Sequence, residues 1–236
     1  MCGRYALISD PERIQERFGC SLSDLSYSPR YNIAPSQPVL ALINASDSTL
    51  PKRRAGFLRW GLIPPWAKDP SVGAKMINAR SETVAEKPSF RRALRRRRCL
   101  IVANGFYEWK KDGPSKAPLY ISLRSGEPFA LAGLWEKWVA ESGEAIHSCT
   151  ILTTSPNALL APIHHRMPVI LAPEAEAVWL DRGVQEPDAL RPLLSSYPAE
   201  AMTAYAVSDL VNSPRNDSPE CLRPLDPVDT PEPGRP

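Results

Sequence analysis

The chain is short of cysteine and histidine, and it has no long apolar run. Its five cysteines contain no Cys-x-x-Cys pair. An odd set of that kind argues against a disulfide framework and a zinc ribbon, and fits a reducing compartment such as the cytoplasm. Three histidines leave little for a His-rich metal site. No stretch approaches the ~20 apolar residues of a membrane-spanning helix, so no membrane association is expected. The start has neither a basic nor an apolar leader region, so no signal or transit peptide is expected. Glycine-rich phosphate loops and internal repeats are also missing.

What is present is a chain of 236 residues, enough for one sizeable domain or two small ones. The net charge of +3 is mild, but arginine is concentrated in the first half. Proline is abundant, at 26 residues. From Pro214 onward the chain has many prolines and acids and few apolar residues. Residues 213–236 are therefore expected to be a disordered tail or an extended strap, and residues 1–212 a single domain.

Apolar runs of strand length recur at Tyr5–Ile8, Pro38–Ile43, Phe57–Ile63, Cys99–Ala103, Leu119–Leu123, Phe129–Leu134, His147–Thr154 and Met202–Val207. Helices are expected after Asp10-Pro11, from Ser89 as cap to about Arg97, in a short piece at 155–160, over Pro173–Asp181 and near Ala189–Leu194. The arginines at 91, 92 and 95–98 either complement a helix C-terminus or contact phosphate. Lys52-Arg53-Arg54 reads as a solvated turn, 44–49 as a polar connection, Lys110–Pro118 as a loop, and Val211-Asn212-Ser213 as a surface turn. Strands outnumber helices and do not alternate with them. The fold class is therefore α+β, a β-rich, largely antiparallel, barrel-like core with peripheral helices.

Several residues could carry chemistry. If Met1 is trimmed, Cys2 becomes the first residue, with an α-amine beside its thiol. An α-amine titrates at about 7.7–8.0, so roughly a third of it is a free nucleophile near pH 7.5. Such an amine can form a Schiff base with an aldehyde, and the thiol can then close a thiazolidine ring. The thiol alone could serve a peptidase. The plain alternative is that Cys2 is simply the second residue of a strand. Glu108 sits among Phe106, Tyr107 and Trp109; an apolar setting raises a carboxyl group into the range useful for proton transfer. The plain alternative is a solvated edge carboxylate. Asn78 and Arg80 share a face if the chain is extended there, as suits an anionic or carbonyl ligand; equally, they could be a turn and a surface ion pair. Trp66 is either a lid on the core or a platform for an unpaired base. His164, His165 and Arg166 lie where a loop enters a strand, a common home for catalytic groups.

Taken together, the blocks Met1-Cys2-Gly3-Arg4-Tyr5, Arg30–Pro35, Trp60–Pro64 with Trp66, Ile77–Glu82, Gly105-Phe-Tyr-Glu108-Trp109 and Ile163-His164-x-Arg166-Met-Pro168 resemble the SRAP family of abasic-site-processing proteins. The resemblance implies a sensor of abasic sites in single-stranded DNA, acting as a monomer in the cytoplasm (near the nucleoid in a bacterium) without metal or organic cofactor. It implies a covalent crosslink through Cys2, with an associated lyase or self-processing activity. By position, Asn78 would hold the cysteine and the opened sugar, and Glu108 and His164 would move protons. Arg4, Arg80 and Arg166 would grip phosphates, Trp66 would stack near the lesion, and Thr153 matches a polar site position. Two residues depart from the pattern, His165 and Asn104, each standing where the family usually has an acid.

Overall fold

The protein is described here as a computed structural model covering residues 2–44, 53–112 and 115–225. The expected polar connection at 44–49 lies almost wholly outside these residues, as do Lys52 and the segment 226–236.

Among the described residues there are fourteen strands. They are β1 (Tyr5–Leu7), β2 (Cys20–Ser21), β3 (Arg30–Ile33), β4 (Pro38–Asn44), β5 (Arg53–Trp60), β6 (Asn78–Arg80) and β7 (Arg98–Ala103). The remainder are β8 (Gly105–Asp112), β9 (Ser115–Leu123), β10 (Phe129–Val139), β11 (Ala145–Thr154), β12 (Met167–Pro168), β13 (Ile170–Leu171) and β14 (Met202–Ala206). Among the described residues, four α-helices lie outside the sheets: α1 (Pro11–Phe18), α2 (Arg91–Arg96), α3 (Pro173–Leu180) and α4 (Pro187–Leu190).

Strands β5, β4, β7, β10 and β11 form a ring. Antiparallel ladders join the first four neighbours, and a parallel pairing of β11 with β5, at Ser148 with Arg59 and Cys149 with Trp60, closes it. Closure removes the open edges that a sheet of this length would otherwise present. The apolar runs supply the interior: β7 is buried along its whole length, and Leu42, Leu131, Ile151 and Trp60 are inaccessible to solvent. A second sheet, in the order β14-β9-β8-β1-β3, lies against the ring. The chain crosses between the two at Asn104. Its side-chain Oδ1 accepts from the backbone N–H groups of Ile8 and Ser9 at 2.9 and 3.0 Å, and its Nδ2 donates to the Ser9 hydroxyl. Asn104 thus anchors the end of β1, a task for a neutral amide that both donates and accepts. Gly105 follows because nothing larger fits: a Cβ there would lie 2.3 Å from the Tyr120 ring.

The structure corrects several local readings. Arg53 and Arg54 are not a turn but the start of β5, and Arg53 joins Arg17 on the buried Glu176 carboxylate, each at 2.7 Å. Ser89 does not cap α2, whose N-cap position is held by Phe90 without a side-chain bond. Two arginines of its run are structural. Arg98 is buried and donates to the carbonyls of Leu94, Trp179 and Asp181, while Arg97 pairs with the buried Glu136. Most of Lys110–Pro118 extends the β8–β9 hairpin. Residues 155–160 form turns rather than a helix, organised by Asn157, whose side chain bonds the Leu160 N–H and the Tyr197 carbonyl. Residues 209–212 form a 3-10 turn with Val211 fully buried, not a surface turn.

Beyond that turn, residues 213–225 run as a strap over β3. The Asp217 carboxylate accepts from the backbone N–H groups of Tyr31 and Asn32 and pairs with Arg30. The Asn32 amide reaches the carbonyls of Val211, Ser213 and Asn216. Cys221, within the strap, is fully buried.

Candidate functional site

The register of the second sheet brings the N-terminal segment to the site. Tyr5 pairs with Phe106, and the Tyr107 N–H donates to the Arg4 carbonyl at 2.9 Å. Continued two and three steps beyond Tyr5, that antiparallel register carries Gly3 past Glu108 and Cys2 past Trp109. From the other side, β11 pairs in parallel with β6, setting Asn78 opposite Ile151. The Asn78 amide then donates to the Cys2 carbonyl at 2.8 Å. The chain leaving β11 loops out through residues 155–166 and returns as β12 beside Thr153 and Thr154, which delivers His164. Its Nδ1 lies 3.9 Å from Glu108 Oε1. Four residues separated by up to 162 positions in sequence, Cys2, Asn78, Glu108 and His164, thus meet where the ring and the second sheet adjoin.

Burial sets their chemistry. Glu108 is 3 % exposed, so the solvated edge reading does not hold; the low-polarity setting pushes its carboxyl up to about 7. It can therefore both hold and release a proton near neutrality. The Cys2 thiol, fully buried, is raised above the ordinary range, first by burial and then by the nearby Glu108 carboxylate. His164 is lowered by burial, opposed by its bond to the Arg166 carbonyl, with His165 adding to the lowering. The His164 and His165 rings lie in contact, tilted by 33° with centroids 4.3 Å apart. His164 Nδ1 lies 3.1 Å from both the backbone N and the backbone O of Arg166, so the tautomer decides whether it accepts or donates there.

The remaining expected site residues divide. Trp66 is 62 % exposed, so it is no lid on the core, and Arg80 is exposed as well. Arg166 is turned inward. Its guanidinium makes a two-pronged bond to Glu82 at 2.6 and 2.8 Å and reaches the Thr153 carbonyl at 2.6 Å. Thr153 is itself buried. Arg4 donates to Asn32 Oδ1 at 2.8 Å and the Val211 carbonyl at 2.6 Å, tying the N-terminal segment to β3 and to the 209–212 turn. Arg4 and Arg166 thus brace the site from within, while Arg80 and Trp66 face outward. Among the described residues no group of three or more His, Cys, Asp or Glu side chains could share a metal ion.

The site opens into a cavity of about 890 Å³, lined by Glu108, Trp109 and His164 together with Lys111, Lys116 and Asn212. The last three carried no signal in the sequence. Lys111 and Lys116 belong to a stretch that reads as a loop, and Asn212 to one that reads as a surface turn.

The family model described as SOS response associated peptidase (SRAP) matches residues 1–214. The chain is 52 % identical over 225 residues to abasic site processing protein YoqW of Bacillus subtilis, covering 94 % of this chain and 99 % of that one. It is 32 % identical over 265 residues to abasic site processing protein HMCES of Xenopus tropicalis, covering 94 % of this chain and 78 % of the other. A crystal structure of a protein from Bacteroides thetaiotaomicron superimposes with a TM-score of 0.84 at 27 % identity, covering 95 % of this chain and all of that one.

Proposed function

This chain belongs to the SRAP family, and from that premise we propose that it processes abasic sites in single-stranded DNA by covalent capture on Cys2. The observation that carries the proposal is the meeting of Cys2 and Asn78 with His164 and the buried Glu108, whose carboxyl burial pushes up to about 7, at the edge of a cavity large enough for a nucleotide.

The reaction requires loss of Met1, because an amide nitrogen is not a nucleophile. The freed amine of Cys2 then adds to the open-chain aldehyde of the abasic sugar to give a carbinolamine. Glu108, as an acid, protonates its hydroxyl, which leaves as water, and the imine forms. The Cys2 thiol adds across the C=N bond. Sulfur bonds to carbon, the proton ends on nitrogen, and a five-membered thiazolidine closes. No oxidant or metal enters the balance. Asn78 holds the Cys2 carbonyl and so fixes the attacking residue; pre-set geometry of this kind lowers the entropic part of the barrier. The raised thiol is protonated at neutral pH, so the amine leads and the thiol follows, with Glu108 or His164 relaying the proton. The imine also permits β-elimination, which would give a weaker lyase activity. All five cysteines are free, in keeping with a reducing compartment.

The test is to mix the protein with a single-stranded oligonucleotide carrying one abasic site, denature, and look for a shifted band. Wild type gives the adduct and Cys2→Ala does not. A stable adduct with Cys2→Ala, or none with a wild type shown by mass to have lost Met1, would refute the proposal. The family description names a peptidase. That reading instead requires cleavage of a peptide substrate that abasic DNA does not affect.

A further inference from the structure

Lys111 and Lys116 are directly opposite each other in the β8–β9 ladder. Like charges in that position repel and destabilise a hairpin, by up to about 1 kcal/mol. The flanking pairs of the ladder are Lys110 with Ala117 and Asp112 with Ser115, so neither lysine has a carboxylate directly opposite it. Both lysines are exposed, and both line the same cavity as Glu108 and His164. On the same cavity, Asn212 accepts the Trp109 indole N–H through Oδ1 at 2.7 Å. That bond fixes the amide and leaves its NH₂ group without a partner among the described residues. His165 completes the lining on the side of the catalytic histidine. The outer wall of the cavity therefore carries two cations and an oriented amide donor, and its single acid, Glu108, lies at the inner end.

We propose that Lys111, Lys116 and Asn212 form a subsite for the phosphodiester adjoining the abasic sugar, so that the β8–β9 hairpin sets which side of the lesion the protein grips. The inference rests on the proposed capture of abasic DNA and adds to it a location for one flanking phosphate. An anion between the two lysines removes their repulsion, so the strain in the free hairpin is recovered on binding. The lysines supply charge and the amide supplies direction, a division of labour suited to a phosphate oxygen. Arg80 and Trp66, exposed elsewhere, are not needed for this contact.

The test has two arms. In the first, non-covalent binding of an undamaged single-stranded oligonucleotide to a Cys2→Ala background is measured by fluorescence anisotropy across a salt series. Each neutralised phosphate contributes a slope of about −0.7 in log K against log salt for single strands. Lys111→Gln/Lys116→Gln should flatten the slope by about 0.7 and weaken binding several-fold at low salt. Lys87→Gln/Lys137→Gln, which makes the same change in net charge away from the cavity, should leave the slope unaltered. In the second arm, capture rates are compared for oligonucleotides with the abasic residue at the 5′ end, at the 3′ end or internal. The hairpin variant should slow the internal and one terminal substrate by a similar factor and leave the other terminal substrate unchanged. Inorganic phosphate at millimolar concentration should compete with that end-dependent difference only if a free anion satisfies the site. Equal slopes for the two double variants, or equal slowing at both ends, would overturn the assignment. Because the first arm needs no covalent chemistry, a failure of capture and a failure of the subsite give different results. The hairpin variant should melt no lower than wild type, since it loses a repulsion.

Discussion

Glu108→Gln should make the protein more stable, and by an amount that depends on pH. Burial moves the Glu108 carboxyl from an ordinary 4.5 up to about 7. The folded state therefore binds this proton more tightly than the unfolded chain does. Below about pH 4.5 both states hold it, and the group favours neither. Between 4.5 and 7 the unfolded chain releases the proton while the folded protein keeps it, so stability falls as pH rises. Above 7 both are ionised, and the full cost of the buried carboxylate remains. A shift of about 2.5 units at about 1.36 kcal/mol each amounts to about 3 kcal/mol. Glutamine has nearly the same shape and never ionises. The difference in unfolding free energy, variant minus wild type, should therefore climb by about 3 kcal/mol between pH 4.5 and 8 and then level off. Urea titrations of both proteins at intervals across that range measure it, and all other titrating groups cancel in the difference to first order. A difference independent of pH would refute the account of the buried carboxyl, as would one that fell with rising pH. The same substitution should remove any inflection near 7 from the pH profile of adduct formation. The variant would then be a more stable and slower protein, as expected where a site stores unfavourable desolvation for use in chemistry.

The other predictions concern the framework and the histidine pair. Gly105→Ala would place a Cβ 2.3 Å from the Tyr120 ring and 2.7 Å from the Ile121 carbonyl. The strain should cost about 1–3 kcal/mol, lowering the melting temperature by on the order of 5 °C by calorimetry. Capture should slow as well, because β8 carries Glu108; an unchanged Tm would show that the strands can part at no cost. His165→Gln takes away a second imidazole whose centroid lies 4.3 Å from that of His164, and one cause of that group's lowering. The pKa of His164, followed by NMR, should rise, and any acid limb of the capture profile that depends on it should move to higher pH. Movement in the opposite direction would mean that ring contact, not charge, dominates the pair.

Much of the fold was legible because its signals are local. The apolar run Cys99–Ala103 could only be a buried strand, and the Asp10-Pro11 start of α1 needs no partner to be recognised. Glu108 among three aromatics could be read as a buried acid for the same reason, since the residues that desolvate it include its own neighbours. Arg53, Arg97 and Arg98 could not be placed in this way. Each is satisfied by a group far along the chain: Arg53 by Glu176, Arg97 by Glu136, and Arg98 by the carbonyls of Trp179 and Asp181. A run of charge looks solvated until its partners are known.

By itself the sequence determined the types of reacting group: a thiol with an adjacent amine once Met1 is gone, an acid in an apolar setting, and a histidine at the mouth of a strand. Covalent structure and near neighbours suffice for that. Only the tertiary structure decided which of them touch, which arginines brace and which remain exposed, and that two lysines paired across a hairpin line the cavity. Those outcomes depend on register between strands distant in sequence, where a shift of one residue turns every side chain to the opposite face.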